Sequence, residues 1–353
     1  MYGNGNGRGL DEEAVSAFAD DLESGACMTA AERDQVVSAG AEFAEQVEGS
    51  WLLISGRFTS SPYGDGTEDQ VRNLLRGAFD EPGRDSRTIK VLLDSAGGSL
   101  DSAYATTLYL SAYAQTLEVY VADRAKSAST LLALGADKVY LSTFGELGPL
   151  DSQIRDPRNP VIWVSALDCY QSVDYVRDFG VKTVKEVLDR LVTATGKRIP
   201  VEDLLATATT FSLGLIEPMM RSVPALDFGG WGRNLRISER YARKLLADRN
   251  MADDSDRIDT AHELVYGYPH HLFPIDVNEA RRIGIDAILM DRELYDAAAK
   301  VVQECHQKDF VGFLSKAEAG KTGSSPLARP AAARSGRQRA EEHLGEAGQT
   351  HPL

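Results

Sequence analysis

Two short segments hold the residues with the most chemical promise. An apolar, β-branched run, Ile89–Leu93, leads into Gly97-Gly98 within IKVLLDSAGGSL. A second strand-like run, Leu117–Ala122, precedes RAKSASTLLALGAD, where Ser127 stands among small residues ahead of an apolar helix pattern. Exposed backbone N–H groups at strand ends, beside a hydroxyl at a helix N-terminus, are what a serine nucleophile with an oxyanion hole needs. Helix polarity would add a positive field of roughly half a charge at that hydroxyl.

The surrounding pattern supplies elements that would position these groups. Trp51–Phe58 reads as a buried strand, and Glu68–Phe79 repeats apolar residues at helical spacing. Strand Ile89–Leu93, helix Leu100–Ala114, strand Leu117–Ala122, helix Ser129–Gly135 and strand Lys138–Ser142 follow in alternation. Such alternation with short loops predicts an α/β fold whose largely parallel sheet is covered by helices. Strand–helix–strand units carry their working residues at the C-terminal ends of strands, where Gly97-Gly98 and Ser127 both fall. Upstream, Met1–Gly9 reads as a flexible start. Leu10–Glu48 reads as two helices broken at Gly25, with TAAE from Thr29 as a capping box. The predicted divisions are a helical N-terminal extension over 1–48, a core over 49–315 with a helical insertion at about 160–250, and a disordered tail over 316–353.

Bulk properties narrow the function classes. The 353 residues carry a formal net charge of −15, which argues against a nucleic-acid or anionic-membrane partner. Cys27, Cys169 and Cys305 are scattered and odd in number. They suit buried small residues in a reducing compartment better than disulfides or a metal set. No apolar run reaches the ~20 residues of a membrane span, and MYGNGNGRGLDEEAV has no apolar signal core. A cytoplasmic location is the expectation, and no cofactor is implied.

The same residues resemble a known family. DSAGGSLDSAYA is similar to the Gly-Gly segment of Clp-type peptidases, AKSASTLLALGAD to their nucleophile segment, and FPIDVNEARRIGIDAIL to their late Glu-Ala segment. ELGPLDSQI and YPHHLFPI resemble the serine dehydrogenase proteinase branch, related to signal peptide peptidase A. The likeness spans roughly Trp51–Ile154 and Ala261–Asp291. It implies a ClpP/crotonase-like fold of stacked βαβ units, a serine hydrolase acting on peptides or unfolded protein segments, and a homo-oligomer. By resemblance Ser127 is the nucleophile and Gly98 the oxyanion-hole glycine, with the Ala128 amide as second donor. No Gly-rich dinucleotide fingerprint is present, so dehydrogenase activity is not expected.

The general base is open at this level. The family places a His about 25 residues after the nucleophile, where this chain has Asp151 and no His. Its Asp falls where this chain has His270 and His271. A permuted set with His271 as base and Asp151 as its orienter would preserve the roles, since such a constellation is defined by geometry and not by order. A Ser–Lys dyad using Lys182 or Lys185 is the other candidate, although VKTVKEVLDR reads as an ordinary amphipathic helix. Lys126 should project away from the nucleophile, as neighbours on an extended strand end do. Asp94 and Asp101 read as turn and cap residues. Two other classes remain open to these residues: an inactive oligomeric scaffold or peptide-binding protein, and a crotonase-type acyl-CoA enzyme.

Overall fold

The structure is a computed structural model that describes residues 28–79, 87–156, 159–196, 198–221, 223–248, 254–305 and 308–314. The expected flexible start, the first N-terminal helix and the tail from 316 lie outside the described residues.

Eight strands form one curled, mostly parallel sheet among the described residues. Its main path runs β10 (Phe310–Leu314), β1 (Trp51–Phe58), β2 (Thr88–Gly98), β3 (Thr116–Val121), β5 (Lys138–Leu141) and β9 (Ala287–Leu289). Only β10 runs antiparallel to its neighbour on that path. Strands β1 to β3 are almost wholly buried, as parallel strands covered on both faces must be, and this explains their unbroken apolar runs. The architecture is the ClpP/crotonase-like α/β fold.

Helices cover both faces. Helix α1 (Ala30–Gln46) opens on Thr29, whose side chain accepts from the Glu32 amide while Glu32 reaches back, completing the capping box. It buries Val36 and Phe43 beside Trp51, Leu53 and Leu92 on one face. Helices α2 (Thr67–Ala78), α3 (Leu100–Tyr113) and α4 (Thr130–Gly135) follow in the βαβ succession. Val71, Leu75, Leu110, Leu131 and Leu132 bury into the larger core cluster.

Several elements differ from the sequence expectation. Strand β2 continues past Leu93 to Gly98, because its upper half gains a new partner: Ser95 pairs with Ala125 of β4 (Arg124–Ala125). Strand β4 pairs in turn with β6 (Glu146–Leu147). The insertion begins not as a helix but as the hairpin β7 (Gln153–Asp156) and β8 (Asn159–Ser165). Helices α5 (Ala166–Ala194), α6 (Val201–Arg221) and α7 (Ala225–Asp248) follow, then α8 (Asp254–His262), α9 (Val277–Arg282) and α10 (Arg292–Cys305). Cys305 is buried as expected, but Cys169 on α5 is half-buried, and Cys27 lies outside the described residues. No helix among the described residues is long and apolar enough to cross a membrane.

Candidate active site

Ser127 opens a 3₁₀ turn, Ser127–Ser129, between β4 and α4. Its φ is +53°, the sole positive value at a non-glycine among the described residues. An L-residue held there is strained and persists only where its surroundings fix it. Here they do. The Lys126 amide donates to the Ser95 carbonyl at 2.9 Å. The Ser129 hydroxyl lies 2.6 Å from the Lys126 carbonyl, and the Thr130 hydroxyl 2.8 Å from that of Gly148. The Ser127 side chain is half-buried and faces a cavity of about 620 Å³.

The Gly-Gly turn is built to let the Ser127 segment come close. Gly97 and Gly98 have φ of +108° and +128°. A Cβ on Gly97 would sit 2.7 Å from Ser127 Cβ and 3.3 Å from the Ala128 nitrogen. A Cβ on Gly98 would collide with the Phe58 carbonyl of β1. Both positions therefore need glycine on two grounds, conformation and space. Gly98 lines the same cavity as Ser127, and Ala128, in the first turn after it, has an amide with no preceding helical turn to bond to.

His271 lies on the wall of this cavity, and its Nδ1 is 2.8 Å from Oδ1 of Asp151. Asp151 is almost fully buried, and its other oxygen accepts from the Ser165 hydroxyl at 2.8 Å. Two clamps bring these residues together across the sequence. Leu147 and Ile275 exchange backbone hydrogen bonds of 2.9 and 3.1 Å, and the Leu150 amide donates to Leu264 at 2.7 Å. Asp151 follows the second clamp directly, and His271 lies between the two partner segments. His270, by contrast, packs at the Phe273 ring, 5.9 Å between centroids.

Lys126 points away from the cavity, toward β6. Its Nζ lies 2.8 Å from Glu146 Oε1 and donates to the carbonyls of Leu147 and Phe273. Burial holds its ammonium below the ordinary range, opposed by the hydrogen bond to Glu146. Lys182 and Lys185 are exposed on α5, and neither lines the cavity. The expected Ser–Lys alternative is thus not assembled, because the amphipathic helix that bears both lysines turns them to solvent.

Asp94 and Asp101 also differ from their assignment as simple turn residues. Asp94 lies inside β2, almost fully buried, with Oδ1 unpartnered, and burial pushes its carboxyl up to about 7. Asp101 lines the cavity and accepts from the Tyr241 hydroxyl at 2.6 Å. Sequence reasoning missed Ser165, Asn234 and Ile237. Ser165 reads only as a helix cap, which it also is, and nothing in the sequence ties it to Asp151. Asn234 and Ile237 come from α7, in the middle segment, and complete the cavity wall.

No protein-family model matches this sequence, and no curated protein matches it. Among solved structures, a mutant of 1510-N, a membrane-bound stomatin-specific protease, aligns with 68% of this chain and 79% of its own. The identity is 15% and the TM-score 0.39, a likeness too slight to bear on the chemistry of the site.

Proposed function

We propose that the protein is a serine peptidase acting on peptides or unfolded segments. The observation that carries this reading is the His271–Asp151 pair, 2.8 Å apart, on the wall of the cavity that Ser127 faces from a strained turn. In the proposed reaction Ser127 Oγ attacks the scissile carbonyl carbon while His271 Nε2 takes the hydroxyl proton. The carbonyl oxygen becomes an oxyanion and accepts from the Gly98 and Ala128 amides. His271 then passes its proton to the leaving amine, the C–N bond breaks, and an acyl–Ser127 ester remains. Water, deprotonated by the same imidazole, hydrolyses that ester and frees the serine. Asp151 holds Nδ1–H and stabilises the imidazolium without itself taking the proton.

A hydroxyl and a carboxylate-held imidazole lining one cavity are what favour this over an acyl-CoA enzyme of the crotonase type, which would use the two amides alone. A fluorophosphonate probe followed by mass spectrometry tests the reading. Modification on Ser127, absent in Ser127→Ala, together with cleavage of an unfolded protein by the wild type alone, is the expected outcome. An unlabelled wild type that binds peptides as well as Ser127→Ala does, and cleaves none, would instead identify a scaffold. We also infer a homo-oligomer, supported by the exposed apolar surface of α6, and a cytoplasmic location, supported by composition.

A further inference from the structure

Helix α7 presents three adjoining stripes. Leu235, Ala242, Leu245 and Leu246 are buried in the core. Beside them Asn234 and Ile237 form part of the candidate active-site wall. Next come Arg233, Arg236, Arg240 and Arg243, all exposed, at spacings of three and four that put them on one side of the helix. These four line a groove of about 520 Å³ together with Glu239 and Ile237. Ile237 belongs to both the groove and the cavity, so the groove continues the cavity wall.

The helix is held firmly in that position. The Tyr241 hydroxyl bonds Asp101 of α3 at 2.6 Å, and its ring stacks on Tyr104 at 4.2 Å between centroids. Glu239 occupies only one of the four arginines, pairing with Arg243 at 2.5 Å. Arg233, Arg236 and Arg240 have no ion-pair partner among the described residues. Three uncompensated guanidinium groups at the rim are a local reversal of sign in a chain of net charge −15. At physiological salt the screening length is about 8 Å, so a ligand in the groove responds to these groups and not to distant carboxylates.

We propose that this groove binds acidic side chains of the substrate next to the scissile bond, which makes acidic, extended polypeptide the preferred substrate class. The proposal rests on the peptidase reading of the adjoining cavity. Guanidinium groups pair with carboxylates through two parallel hydrogen bonds, which gives direction as well as charge. The ten-residue rise along the helix from Arg233 to Arg243 spans about 15 Å. That matches about four or five residues of extended chain at ~3.3 Å each. A nucleic acid fits less well, because a longer polyanion would leave the arginine stripe and meet the acidic remainder of the surface.

The test uses fluorescein-labelled peptides that share one neutral core and differ only in Glu, Gln or Lys flanks. Binding is read by anisotropy on full-length Ser127→Ala protein at about 50 mM and 300 mM salt. With three exposed pairs each contributing a factor of roughly 2–4, the Glu-flanked peptide is expected to bind at least about tenfold tighter than the Gln-flanked one. That advantage should vanish at high salt and in the triple substitution Arg233→Gln, Arg236→Gln, Arg240→Gln. In a background that retains Ser127, the triple variant should label with fluorophosphonate as fast as wild type, which shows it is folded. Equal binding of Glu and Gln peptides to Ser127→Ala protein, while Ser127 of the wild type does label, would overturn the groove proposal and leave the peptidase reading intact. Tighter binding of a single-stranded oligonucleotide that displaces the Glu peptide would also overturn it. Arginine-dependent binding of the Glu peptide to a protein whose Ser127 never labels would uphold the groove and sink the peptidase.

Discussion

At the residue scale, the proposed chemistry depends on how Asp151 and His271 hold each other. Replacing Asp151 with Asn would keep the shape but present the wrong hydrogen-bond partner to Nδ1, and a loss of about 10⁴ in kcat is expected. Steady-state hydrolysis of an unfolded substrate checks this, and a loss under tenfold would contradict it. Lys126 is assigned to positioning, since it ties the Phe273 carbonyl beside His271 to β6. Lys126→Met should therefore lower kcat while leaving the affinity of Ser127→Ala protein for peptide unchanged. Asp94 yields a stability prediction with a definite sign. Burial raises its carboxyl from 3.8 to about 7, so the native state binds the proton more tightly than the unfolded chain. Its contribution is fully present below about pH 4 and is lost as pH rises toward 7. Urea unfolding of Asp94→Asn should show a weaker fall in stability over that window and a variant more stable than wild type at pH 8. Parallel pH profiles for the two proteins would refute the assignment.

At the element scale, the Gly-Gly turn and the Ser127 turn are one unit. Gly98→Ala would need left-handed backbone and would drive its Cβ into the Phe58 carbonyl, so β1 and β2 must part. A cost of at least about 2 kcal/mol is expected by thermal or urea unfolding, with loss of Ser127 labelling. The long elements that build this unit were legible because parallel strands buried on both faces read as continuous apolar runs. Trp51–Phe58 is a clear case, and the capping box at Thr29 was legible for a different reason, its Thr-x-x-Glu spacing. Strands β4 and β6 were not legible, since two residues carry no period; β4 forms on the edge that β2 offers and β6 on the edge that β4 offers. The hairpin β7–β8 is short and polar-flanked, and it hides ahead of a 29-residue helix that dominates its window. Of the candidate site, Ser127, Gly98, Asp151 and His271 could be named from sequence. The contact between the last two depends on backbone clamps at Leu147–Ile275 and Leu150–Leu264 that no spacing reveals.

At the scale of the whole molecule, two surfaces stand out from an otherwise acidic exterior. One is the arginine stripe of α7. The other is α6, which buries only Leu204, Ala208 and Ser212 and leaves Leu205, Phe211, Leu213 and Met219 exposed. No charged residue occurs from Leu204 to Ile216. A helix apolar on most sides is ordinarily covered. At about 30 Å long it is of the size that contributes to a standard interface of ~800 Å² per partner. Light scattering should report a particle larger than one chain. Leu205→Glu combined with Phe211→Glu should shrink it while shifting unfolding by no more than about 1 kcal/mol, as exposed positions do. A wild type that scatters as a single chain would refute self-association.

In the proposed mechanism His271, held by Asp151, activates Ser127. The most direct measurement is the rate of fluorophosphonate labelling at Ser127 near pH 7 in wild type and in His271→Ala. Labelling in His271→Ala should be slowed by about 10²-fold or more, the usual contribution of a general base. Labelling at the wild-type rate in folded His271→Ala would contradict it.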